Sequence, residues 1–577
     1  MTSANWKPKR SFEEVEKILC APGALHELQT REIDGQVLRV YKNLWPSLRV
    51  FWLYVMQLHG SKTCVTFENQ RLTFTELGER AMKAASIFRN VYGVKKGDRV
   101  AICARLPADL IGAVPVLVNS WLPLEPMYHC IARTTPVLVF VDPERANILQ
   151  SSASRLPSAH FIVIEDEGQR PWPNMTLWRS QIQDYNGDVQ RILKEDPEIV
   201  PEDNATIIFT SGTSGLPKGV LSSQRAFLSN LLNSFAGRGR AMLRRGDDLI
   251  FQASPGPQTG ILLPTPLFHV TGTSLVLIGA LSGAKIVLMR KWEVEEAARL
   301  IKTENITAAG GVPTTVSDLV DSSASGSGLE SVMYGGAPVS AALVERARKA
   351  FPLASMSQAY GMTESNATAV AFFISKILAE LSISGRAMPI NDVLVMGPDG
   401  VKCPNGTVGE VWLRGSNVMK CYWDDPVATS RTLSKDNWLK TGDVGYMDDD
   451  GFLYIKDRLE GGENVDSTTV ENALYEDEGG EIVLEAAAVG VPDPRLGELV
   501  TALVTVKPSH REKVTIASLL NLARKRLPKF AVPVQILILE QDFNHTPSGK
   551  IVKADLRKIA AKEWEKRKTI NGGEAKL

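Results

Sequence analysis

Phe209-Thr-Ser-Gly-Thr-Ser-Gly-Leu-Pro-Lys-Gly219 decides the reading of this chain. It follows the apolar run Ala205-Thr-Ile-Ile-Phe209, which reads as a buried strand. Glycines let backbone N–H groups approach an anion closely. Thr210, Ser211, Thr213 and Ser214 add hydroxyl donors around Gly212, and Lys218 adds a positive charge. Together these suit a polyphosphate. The segment is not a Walker A loop, because Pro217 precedes the lysine and Gly219 follows it. A surface turn is the plain alternative, but a turn does not require four hydroxyls and a lysine beside a buried strand.

Outward from this loop, apolar runs alternate with helix-like stretches. Asp98–Cys103, Pro136–Val141, Phe161–Ile164 and Ala284–Met289 read as further buried strands. Residues 72–91 carry apolar positions at helical spacing and open on Thr73 and Thr75. This alternation predicts an α/β fold with more than one parallel-type sheet. Gly- and Asp-rich turns at 396–409 and 441–451 punctuate short strands at Gly409–Arg414 and Phe452–Ile455. They predict a β-rich subdomain that finishes a large N-terminal domain. A smaller C-terminal α/β unit follows, with strands Leu499–Val506 and Val534–Leu539 around a basic amphipathic helix, Ala517–Leu527.

Lys plus Arg and Asp plus Glu both number 65, so the formal charge is zero. A neutral chain gives no electrostatic case for nucleic acid or an anionic membrane as partner. The six cysteines include no CxxC pair, and the seven histidines no HExxH. Neither a disulfide framework nor a zinc site is indicated. The longest apolar stretches, Leu110–Leu124 and Leu275–Leu281, fall short of the roughly 20 residues of a spanning helix. No transmembrane segment is expected.

Six further fragments follow the loop: Pro266-Leu-Phe-His-Val-Thr-Gly272, Gly335-Gly-Ala-Pro338, Tyr360-Gly-Met-Thr-Glu364, Gly409-Glu-Val-Trp-Leu-Arg-Gly415, Lys440-Thr-Gly-Asp443 and Thr546-Pro-Ser-Gly-Lys550. In this order they resemble the adenylate-forming superfamily of acyl-CoA synthetases, luciferases and peptide-synthetase adenylation domains. The resemblance runs from about Ser61 to Arg557. It implies a large domain over 1–455 that binds ATP and the acid. A small mobile domain over 456–577 carries Lys550.

The resemblance also implies residue roles. The loop from Thr210 to Lys218 would hold the ATP phosphates, Thr363 would lie against the α-phosphate, and Glu364 would hold Mg2+. Gly335, Gly336 and Ala337 would form one wall of the adenine site, with Tyr360 and Gly361 opposite. Asp443 would accept hydrogen bonds from the ribose hydroxyls. His269 would line the acyl pocket, without an acid–base role. Lys550 would reach the carboxylate and α-phosphate as two anions are brought together, a contact of the kind whose removal costs about 3–4 kcal/mol. The implied substrates are a small carboxylic acid, ATP and coenzyme A. A fatty acid is the leading choice, because Gly462–Asn472 is most similar to fatty-acid ligases. Aryl and other carboxylates are the alternative within the enzymes, and a catalytically weak acyl- or nucleotide-binding protein the alternative outside them.

Two places depart from the family pattern. Tyr454–Asn464 is about five residues short on motif spacing. Either Asp457-Arg458 matches the family's Asp-Arg, whose arginine binds ribose, or Lys456-Asp457 matches its hinge. A short hinge would hamper rotation of the small domain, so acyl-adenylate formation is expected to outpace thioester formation. A second shortening falls at Arg105–Gly112, about two helical turns long. Finally, Ala575-Lys576-Leu577 is a conservative variant of the Ser-Lys-Leu peroxisomal address. It implies either recognition by the peroxisomal import receptor or, as a merely solvated tail, a cytoplasmic protein.

Overall fold

A computed structural model describes residues 8–101, 109–165, 172–210, 216–249, 256–336, 339, 341–374, 385–458, 467–475, 482–493, 497–527, 531–546 and 551–570. Within these, two large mixed sheets form the body of the molecule.

The first sheet has Arg99–Ala101, Val114–Leu117, Leu138–Val141, His160–Val163, Met175–Leu177 and Asn204–Thr210 as its parallel part. Lys218–Ser223 returns antiparallel to Asn204–Thr210, and Cys421–Tyr422 closes that edge. The strands Val114–Leu117 and Leu138–Val141 are buried along their whole length. That burial matches parallel strands covered on both faces.

The second sheet begins with a parallel half: Thr63–Phe67, Lys285–Leu288, Gly260–Leu263, Ile306–Gly311, Ser331–Gly335 and Ser355–Tyr360. Ser355–Tyr360 then pairs antiparallel with Val370–Ile374. The three-residue strand Gly385–Ala387 joins this half to Phe452–Arg458, Leu439–Met447, Gly409–Gly415 and Asn391–Met396. The β-rich region therefore continues the same hydrogen-bonded sheet.

Helix Phe74–Asn90 starts where the sequence places it. Thr73 and Glu76 form a reciprocal capping box that satisfies orphan N–H groups of the first turn. Helix Gln224–Arg245 packs on strands of both sheets and buries residues on every side, as a helix between two layers must. Its polar Asn230 and Asn233 are buried as well.

The C-terminal unit is a three-stranded sheet of Val483–Asp493, Gly497–Val506 and Gln535–Leu539. Helices Ser467–Tyr475 and Ile516–Arg526 cover one face. Leu556, Ala560 and Trp564 of helix Lys553–Ile570 cover the other. Lys507 of this unit lies 3.5 Å from Asp321 of the large body.

Candidate active site

Strand Ser355–Tyr360 lies where the parallel half of the second sheet meets its antiparallel half. Ligands of α/β sheets gather at the carboxyl ends of such strands. Gly335 pairs with Ala359 here, so the segments leaving at Gly335-Gly336 and Tyr360-Gly361 emerge side by side. Gly361 cannot carry a side chain, because a Cβ would fall 1.5 Å from the carbonyl oxygen of Ala367. That close approach folds residues 361–367 into a tight turn, with Asn366 and Ala367 both at positive φ. Thr363 and Glu364 sit on its single 3-10 turn, Thr363–Ser365.

Two contacts organise the site. Tyr360 Oη donates to Asp443 Oδ2 at 2.8 Å. Asp443 is buried in strand Leu439–Met447, where Thr441 Oγ1 accepts from its N–H. Gly442 provides the left-handed φ of 71° that this kink needs. Arg458 pairs across the ladder from Asp443, so the backbone brings these two expected ribose residues together.

The second contact is a 2.6 Å hydrogen bond from Tyr422 Oη to Glu364 Oε1. Both residues are buried. Burial, reinforced by the Glu364 carboxylate, pushes the Tyr422 phenol well above its ordinary range, so it stays neutral and donates. Lys218 Nζ stands 5.2 Å from the centroid of the Tyr422 ring. The lysine of the loop and the expected metal ligand thus meet on one tyrosine.

Thr210 pairs with Lys218 in antiparallel register, so the loop between them joins two strands. A Walker A loop leads into a helix instead, and the exclusion drawn from Pro217 holds. His269 is the residue before helix Val270–Ser282, half-buried, with its ring 4.8 Å from that of Phe268. Ser211, Gly212, Thr213, Ser214, Ala337 and Lys550 lie outside the described residues, as do 102–108, 459–466 and the tail Ala575–Leu577. His545 and Ile551, both described, pair in an isolated antiparallel bridge.

Sequence reading missed the support behind the turn. Asn417 Nδ2 donates to Ser365 O at 2.8 Å, and Asn366 Nδ2 donates to Asn417 O at 2.9 Å. Asn391 Nδ2 donates to Asn417 Oδ1 at 2.6 Å. Asn233 Nδ2 donates to Thr368 O at 2.7 Å and itself accepts from Tyr41 Oη at 2.8 Å. Asn230 Oδ1 accepts from Thr368 N at 2.9 Å. All five asparagines are buried. Such networks rigidify a core when every member is satisfied. No spacing rule connects residues so far apart in sequence, so nothing short of the fold exposes them.

Fold and site together define a two-unit α/β protein whose polar cluster sits at the carboxyl ends of parallel strands. Comparison with known proteins narrows this class. The family described as AMP-binding enzyme matches residues 54–423, and its C-terminal domain matches 469–550. A methyl-dioxo-octahydroindenyl-propanoyl:CoA ligase of Rhodococcus jostii is 31% identical, over 86% of this chain and 96% of its own. A long-chain-fatty-acid–CoA ligase of Mycobacterium tuberculosis is 29% identical, over 84% of this chain and 93% of its own. The crystal structure of an anthranilate CoA ligase with anthranoyl-AMP superposes with a TM-score of 0.77 at 20% identity, covering 90% and 98% of the two chains. The chain belongs to the AMP-binding enzyme family.

Proposed function

We propose that this protein activates a carboxylic acid with ATP and transfers the acyl group to coenzyme A, and that the acid is an apolar one of fatty-acid type. The observation that carries the reading is the convergence of Tyr360–Asp443 and Glu364–Tyr422–Lys218 beside the strand ends. In the first half-reaction a carboxylate oxygen attacks the α-phosphorus, and the bond to the β-phosphate bridge breaks to release pyrophosphate. Such chemistry needs chiefly positioning and charge neutralisation. Asp443 is suited to accept from the ribose hydroxyls, while Tyr360 lies against the base. Lys218 and Lys550 balance anionic charge as carboxylate and phosphate approach. In the second half-reaction the thiol sulfur attacks the acyl carbon, the bond to AMP breaks, and the thiol proton leaves to solvent.

Magnesium fits this residue set. Glu364 offers one buried carboxylate on the same short turn as Thr363. Among the described residues no group of three or more His, Cys, Asp or Glu could form a cage of its own. One carboxylate plus substrate phosphates is a usual arrangement for this cation. When bound with ATP, the ion supplies charge neutralisation on the phosphates.

The apolar choice is supported by the two ligases above, whose names specify a long-chain fatty acid and a ring-fused propanoate. Among the described residues no helix is long and apolar enough to cross a membrane. The same reading takes Ala575-Lys576-Leu577 as a peroxisomal address read by the import receptor. A reporter carrying the last dozen or so residues should collect in peroxisomes. A diffuse cytosolic signal that does not change on deletion of Leu577 would refute the address. For the activity, the purified protein is given ATP, coenzyme A and a panel of fatty and aryl acids, and acyl-CoA is read by mass spectrometry. Thioester with medium or long fatty acids supports the reading. Thioester with aryl acids alone would replace the substrate class.

A further inference from the structure

We propose that Tyr422 is a positioning residue that orients the Glu364 carboxylate for the magnesium–nucleotide complex and ties it to the phosphate loop. This rests on the reading of Glu364 as the metal-holding carboxylate. The geometry is local and dense. Five residues, Met419 to Trp423, run between the Glu364 turn and strand Lys218–Ser223 and bond to both. Met419 N donates to Glu364 O at 2.8 Å. Lys420 N donates to Leu221 O at 2.8 Å, and Trp423 N donates to Gly219 O at 2.7 Å. Tyr422 pairs with Val220 in the ladder. Its side chain is only 6% exposed, spans back to Glu364 Oε1 at 2.6 Å, and carries Lys218 above its ring.

An O–H···O⁻ contact of this length belongs to the strong, charge-assisted class. It removes the rotational freedom of a carboxylate that must otherwise be ordered when the ion arrives. Partners of this kind behind a ligand typically hold a factor of about 10 to 100 in metal affinity. One tyrosine thus faces both partners, its ring the loop lysine and its hydroxyl the carboxylate.

The test is calorimetric binding of α,β-methylene-ATP, which cannot be cleaved at the reacting bond, as a function of Mg2+ concentration. Four proteins are compared: native, Tyr422→Phe, Glu364→Gln and the double variant. Tyr422→Phe should shift the Mg2+ midpoint upward by about 10- to 100-fold and leave metal-free nucleotide binding unchanged. Glu364→Gln should abolish the Mg2+ enhancement, and the double variant should match Glu364→Gln alone. As a folding control, Thr429→Val removes the hydroxyl that accepts from Tyr422 N at 3.0 Å. It should lower the melting temperature without moving the Mg2+ midpoint. If Glu364→Gln keeps the native Mg2+ response, the underlying reading of Glu364 is wrong. If Glu364→Gln loses it while Tyr422→Phe does not move, the role of Tyr422 is refuted. Equal weakening by Tyr422→Phe with and without metal, or a Mg2+ shift in Thr429→Val, would mark a structural effect and likewise overturn the proposal.

Discussion

Asn417→Ala removes the centre of the asparagine network while leaving every residue of the turn it supports. The side chain is fully buried. Its loss deletes the donor to Ser365 O and the acceptor for Asn391 Nδ2. Two hydrogen bonds at about 0.5–1.5 kcal/mol net, and two buried groups left unsatisfied at about 1–3 kcal/mol each, bound the effect. Water entering the vacated space recovers part of this, so about 4 kcal/mol is expected, above the usual range for single substitutions. Unfolding entropy near 2.1 cal/mol/K per residue makes a unit of roughly 450 residues lose about 1 °C per kcal/mol. Scanning fluorimetry should therefore show the main transition falling by about 4 °C. Hydrogen exchange should locate the damage: the amides of Asn366, Ala367 and Thr368, bonded to Thr363 O, Met362 O and Asn230 Oδ1, should lose protection. Nucleotide affinity should fall with them, because Thr363 and Glu364 share that turn. An unchanged melting temperature together with native exchange at 366–368 would refute the reasoning.

Other outcomes follow from single contacts. Asp443→Ala should weaken ATP binding by about 10- to 100-fold, since hydrogen bonds to a charged group are worth about 1.5–3 kcal/mol. It should also erase the native preference for ATP over 2′-deoxy-ATP, measured by calorimetry. His545 Nε2 bonds Glu485 Oε1 at 2.7 Å, and that bond outweighs burial to raise the imidazole above its ordinary value of 6.5. Its stabilisation is complete below that value and is lost as pH rises through the raised one. Melting of the C-terminal unit should therefore decline across neutral pH in the native protein but stay flatter in His545→Gln. Restoring about five residues between Arg458 and Gly461 should raise CoA ester formation far more than pyrophosphate exchange. Equal native rates for the two half-reactions would show the short hinge to be benign.

Much of the fold was legible because it is local. Thr73, one of the two threonines at which the sequence opens this helix, is its N-cap, held by a local contact with Glu76 that needs no tertiary help. The buried strands at 138–141, 160–163 and 204–210 follow from short apolar runs and fall within two residues of the expected limits. The union of the parallel and β-rich regions into one sheet was not legible. It depends on Gly385–Ala387, three residues whose partners lie 15–17 residues before and 66–68 after in strands only the fold aligns. The site divides the same way. Tyr360, Glu364 and Asp443 stand in fragments whose order carries a resemblance. Tyr422 and Asn417 are single polar residues, and their roles arise from burial and partner choice.

The most direct test of the account is acid-dependent ATP–pyrophosphate exchange by the native protein and by Lys550→Ala, with transfer from pre-made acyl-AMP to coenzyme A measured beside it. The native protein should exchange pyrophosphate only when a suitable acid is present. Lys550→Ala should lose at least about 100-fold in exchange, the scale of one preorganised charge contact, and largely keep the transfer step. Exchange without acid, no exchange with any acid, or equal loss in both steps would contradict the account.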